Sequence, residues 1–145
     1  MALSANVIRD FTVGPAIRWN SIEVIDAVVI YVGAAVGLSA GRGRPLIAAD
    51  SFLGFADGKV DMVSPASLAA GDLEVRLRRA GDVVLNVVGV TALTDVDDGV
   101  YASDDGTFTI TAVGNTLIGK IARVIDATAT TCLVSFEATS VQSNN

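Results

Sequence analysis

The chain has 145 residues, of which 51% are apolar and 18% charged, and its formal net charge is −6. That length fits one domain with a real core, and the composition is neither that of a disordered chain nor that of a polar linker. The acidic balance argues against a duplex nucleic acid held by its phosphates, and the absence of histidine removes the commonest general base and zinc ligand together.

A single cysteine excludes an internal disulfide and fits a reducing compartment. The longest uncharged run, residues 27–41, is too short to span a bilayer. Residues 1–10 carry neither a basic n-region nor an apolar h-region, so neither a membrane span nor a signal peptide is expected. Aspartates sit beside glycines, a placement that points to turns rather than to an acidic face.

Residues 1–21 show no sustained period. They hold Phe11 and Trp19, with Arg9 and Arg18 nearby and a breaker at Gly14-Pro15. Two readings stand: an ordinary first strand and loop, or an extended arm whose rings dock on a neighbour. On the second, Phe11, Arg18 and Trp19 are candidate partner-binding residues. Residues 22–38 read as β, broken into short pieces by Gly33 and Gly37. Residues 39–45 read as a loop, in which Arg42 and Arg44 are either solvated charges or a small basic point for an acidic partner or a phosphate. Phe52 and Phe55 are expected core anchors, and Ser64-Pro65 opens one plausible helical turn over 66–70.

Residues 71–90 read as a hairpin with a turn at Ala80-Gly81-Asp82. A meander follows over 96–124: a short strand with Tyr101, a turn at 103–106, a strand alternating through Phe108, Ile110 and Ala112, and a turn at Gly114-Asn115. Residues 116–126 fit both strand and helix spacing, with Gly119 and the β-branched residues favouring strand. A last alternating strand, 130–138, puts Cys132, Val134 and Phe136 on the core side, and residues 139–145 form a polar tail.

Gly114 to Lys120 matches the start of a phosphate-binding loop, but Ile121 stands where Ser or Thr should hold magnesium, and the context is a strand. Asp95, Asp97 and Asp98 lack the Gly and Glu spacing of a calcium loop. Cys132 has no activating cation beside it in the sequence. No catalytic residue, cofactor or metal is expected. The reading is an all-β module, a small β-barrel or sandwich of short strands and hairpins with at most one short helix. Its parts are an N-terminal arm (1–21), a barrel-like domain (22–138) and a tail (139–145).

Gly33–Leu38 (GAAVGL), Arg44-Pro45-Leu46, Phe52–Ala56 (FLGFA), Gly71-Asp72, Val100–Asp105 (VYASDD) and Gly114–Lys120 follow one another in an order that resembles the capsid cement, or head decoration, proteins of tailed bacteriophages. The resemblance covers roughly residues 25–137 and leaves the arm outside. It implies a β-barrel-like module, made in the host cytoplasm, that binds the major capsid protein on the outer surface of an assembled head. Such proteins commonly act as homotrimers and reinforce the shell. The alternative is a free β-barrel binding module for a sugar or single-stranded nucleic acid, which would need exposed aromatics interleaved with basic residues on one sheet face. Tyr101 and Trp19 are the candidates for that role, and they lie far apart in the sequence.

Overall fold

A computed structural model describes residues 2–12, 18–64 and 68–138. Its strands are β1 (Phe11–Thr12), β2 (Arg18–Glu23), β3 (Val29–Ile30), β4 (Ala35–Ser39), β5 (Arg42–Pro45) and β6 (Phe52–Ala56). They continue as β7 (Val60–Asp61), β8 (Glu74–Val88), β9 (Gly99–Ala102), β10 (Phe108–Thr109), β11 (Thr116–Asp126) and β12 (Thr131–Glu137). The chain is all-β, and its one helical element among the described residues is a 3-10 turn at Leu93–Asp95. None of its described helices is long and apolar enough to cross a membrane.

The 15-residue β8 is the spine. Its C-terminal half pairs with β12, then β11, β9 and β10 follow in order, and β10 returns to β8 in parallel through Phe108–Val87 and Thr109–Val88. These five strands close a barrel. The N-terminal half of β8 is flanked by β2 on one edge and β6 on the other, and β6 continues to β4 and β5. The outer strands of this second layer meet at a parallel bridge between Val24 and Gly43, with Ile25 N–H donating to Gly43 O at 3.0 Å. A small ribbon of β3 and β7 stands beside it.

β4 and β6 form a wall with a core on each side. Side chains alternate along a strand, and a register shift opposite Val36 and Gly37 adds one residue to β6, so Ala35, Phe52 and Phe55 enter one core while Val36, Leu53 and Ala56 enter the other. Every residue of β6 is therefore buried. Gly54 lies at the centre of the wall at φ +139°, and a Cβ there would strike the Arg78 carbonyl. A side chain would be strained in that backbone conformation and would part β6 from β8.

The expected hairpin at 71–90 is instead one strand. β12 pairs across the supposed turn without a break, Glu137 with Ala80, Phe136 with Gly81 and Ser135 with Asp82. Val75 and Leu77 face one core and Val83, Leu85 and Val87 the other, so β8 changes core where it passes Gly81. The expected loop at 39–45 is the β4–β5 hairpin, turning at Ala40-Gly41. The alternating strand expected through Ala112 keeps only Phe108–Thr109 in the ladder. Leu68–Ala70 is not helical, while residues 65–67 of the expected turn and the whole expected tail 139–145 lie outside the described residues.

Residues 116–126 are strand throughout, and their ambiguous pattern has a cause. The ladders that β11 makes with its two neighbours shift register between Leu117 and Gly119, Ile121 and Arg123, and Val124 and Asp126. Each bulge moves the inward face on by one residue, so Ile118, Ile121 and Val124 are buried at a spacing of three.

Candidate partner-binding surface

The N-terminal residues follow the barrel closely. Val7 N–H donates to Val32 O at 2.7 Å, Val32 N–H to Asn6 Oδ1 at 2.9 Å, and Val84 N–H to Asp10 O at 3.0 Å. β1 then pairs with Val83 and Asp82 of β8, and β2 with its stretch from Ala80 back to Glu74. The expected division at residue 21 falls inside β2. Along its described part, this segment is an edge of the sheet rather than a detached arm.

That changes the standing of Phe11. Its ring is half-buried and meets Phe55 and Phe136 edge-to-face, at centroid distances of 6.0 and 5.9 Å. The Arg78 guanidinium lies over it at 4.3 Å. Phe11 thus packs, partly buried, against its own barrel's core. The backbone of Arg18 and Trp19 pairs with Ala80 and Arg78, across a register shift, and their side chains lie outside the described residues. β8 therefore brings positions 11, 18 and 19 together between Arg78 and Val83.

Arg42 and Arg44 sit on β5, beyond the other end of β2. Arg42 Nε donates to Glu23 Oε1 at 3.0 Å in an exposed pair that joins β5 to β2. Arg44 forks onto Asp50, Nε to Oδ2 at 3.0 Å and Nη2 to Oδ1 at 2.7 Å, and the Asp50 side chain is only 8% exposed. Asp50 Oδ2 also accepts from Ile47 N–H, and Asp50 O accepts from Thr116 Oγ1 at 2.7 Å. Gly37 leaves the space that Asp50 fills, since a Cβ there would overlap the carboxylate. Arg44 therefore holds the β5–β6 connection in place and is already paired. Asp50 was invisible in the sequence as a partner, because only the turn at residues 47–50 in the β5–β6 connection brings it back to Arg44.

Large apolar side chains that sequence reasoning did not single out are the exposed ones. Ile8 is 86% exposed, Leu93 73% and Val113 89%, and each stands in a turn or irregular segment. Val88 is exposed at the end of β8 beside Ile110.

The buried electrostatics lie under the N-terminal segment. Asp105 is buried, accepts from Leu3 N–H through Oδ1 at 2.9 Å, and offers its carbonyl to Ala35 N–H at 2.9 Å. Burial pushes its carboxyl above the ordinary value, and the neighbouring Asp104 adds to that. The Arg9 guanidinium lies 5.4 Å from the centroid of the Phe108 ring, and burial lowers its pKa against the opposing attraction of Asp105. Other aspartates cap turns. Asp95 accepts from Thr91 and Ala92 N–H, and Asp61 from Val63 and Ser64 N–H, and these bonds hold both carboxyls below the usual range.

Gly114–Lys120 is a turn running into β11, with Lys120 3.8 Å from Asp97 and no helix after it. Cys132 is fully buried, and burial pushes its thiol up. Among the described residues no three His, Cys, Asp or Glu side chains are placed to hold a metal ion. Tyr101 pairs with Leu117 in β9 and β11, remote from the β2 position of Trp19. No family model, curated protein or solved structure matches the chain.

Proposed function

We propose that the protein is a structural adhesive of a tailed-bacteriophage head. It binds the major capsid protein on the outside of the assembled shell, as a homotrimer, and stabilises that shell. The observation that carries this reading is the ordered series of motifs from Gly33 to Lys120. The surface supports it in one respect: Leu93 and Val113 offer large apolar side chains on short turns, and Ile8 offers one on the N-terminal segment. Such groups lose little freedom on docking and add modest contacts that sum over many copies on a lattice.

The test mixes the purified chain with empty heads that lack it. Co-sedimentation that saturates, with heads that then withstand higher temperature, is the expected result, and gel filtration of the free chain should give a trimer. A chain that stays in the supernatant at all concentrations overturns the reading.

A further inference from the structure

A cavity of about 210 Å³ lies between the N-terminal segment and the wall, lined by Ile8, Arg9, Phe11, Val32, Gly33, Ala56, Asp57 and Arg78. Two guanidinium groups and one carboxylate share it. Arg78 Nη2 stands 3.4 Å from Asp57 Oδ1, while Arg9 Nε donates to Gly33 O at 2.9 Å. Arg9 Nη2 is buried with no hydrogen-bond partner. Asp57 is the one acidic group of the lining and faces Arg78, so Arg9 is attracted only from behind the lining, by Asp105, and the remaining side chains are aliphatic or aromatic.

We propose that this cavity binds a single carboxylate group carried on a short aliphatic stem. A buried donor on a charged group is costly to leave unpaired, and a carboxylate matches the guanidinium fork in geometry and charge. One negative charge balances the lining, whereas a phosphate dianion would overshoot it. Ile8, Phe11, Val32 and Ala56 suit methylene groups next to the carboxylate. The desolvation already felt by Arg9 strengthens any anion brought beside it. The inference does not depend on the partner proposed above.

Two probes separate the sources of such a group: butyrate for a free acid, and N-acetyl-glutamate amide for an acidic side chain of a polypeptide. Each is titrated into the full chain, followed by thermal unfolding and by the amide signals of Gly33 and Asp57, against chloride and inorganic phosphate at equal ionic strength. Both probes should raise Tm and move those signals, and the tighter one identifies the source. No response, or an equal response to phosphate, overturns the proposal. Ile8→Glu, at an exposed position on the cavity lining, supplies the carboxylate from within the chain. It should raise Tm and weaken the response to both probes by about tenfold or more, while Ile8→Gln responds as the parent does. An undiminished response in Ile8→Glu also overturns it, and since Ile8 is exposed the variant keeps the fold.

Discussion

The two cores on either side of the β4–β6 wall are built from different materials. On the barrel side Phe52, Phe55, Phe108 and Phe136 pack together, with Phe11 reaching in from the N-terminal segment. Phe55 is the hub, touching the other four rings at centroid distances from 4.9 to 6.0 Å. On the other side Val24, Ile30, Val36, Leu53, Met62, Val75 and Leu77 form a core with no ring in it among the described residues. The aromatic core sits inside a ring of strands that close on one another, whereas the aliphatic core is enclosed by a layer whose outer strands meet at one bridge. Edge-to-face rings fix their neighbours' orientation, while aliphatic side chains fill space with less geometric demand. The first core specifies the barrel and the second fills in behind it.

Single truncations test that contrast most sharply. Phe55→Ala should cost about 3–5 kcal/mol, and Leu77→Ala, equally buried in the other core, less than that within a range of about 2–5 kcal/mol. Urea unfolding followed by near-ultraviolet circular dichroism and by backbone signal measures both. Equal losses would show that ring geometry adds nothing to burial.

A smaller loss, about 1–2 kcal/mol, is expected for Phe11→Ala, since that ring is half-buried and lies against Phe55 and Phe136. Unchanged stability in the same unfolding experiment would return Phe11 to the surface as a docking group.

The smallest effect is one of pH. Asp105 holds its proton to higher pH in the folded chain than in the unfolded one, because burial penalises the charged form. Between the unfolded value and the raised folded one, the native state binds more protons, so this group's contribution to stability falls as pH rises through that window. Asp105→Asn should remove that slope while keeping an acceptor for Leu3 N–H. Stability curves of parent and variant that run parallel across the acid range would contradict it.

The all-β class, the turns at 103–106 and near Gly114, and the inward face of β12 were legible in the sequence, because alternation and turn residues are local signals. The continuity of β8 was not. Ala80-Gly81-Asp82 is good turn chemistry, and only β12, some fifty residues later, holds it straight. The bulges of β11 imitated a helical period for a similar reason: their cause lies in neighbouring strands. For the candidate surface, Arg42 and Arg44 were visible as charges, but their partners Glu23 and Asp50 were not, since one lies on β2 and the other on the connection after β5. Phe11 was noticed as a ring, yet its place in the core depends on β8, far along the chain.

The sharing of β8 between the two halves also bears on the order of assembly during synthesis. The aliphatic half is composed of residues up to Leu77 and can complete its pairings once β8 has emerged from the ribosome. The aromatic barrel cannot close until Thr131–Glu137, the final described strand, is made. Until then Phe52 and Phe55 face outward from a finished half, beside the Phe11 ring that precedes them in the chain. Contacts so distant in sequence form slowly, so the nascent chain carries an open aromatic face from the completion of β8 until β12 joins it.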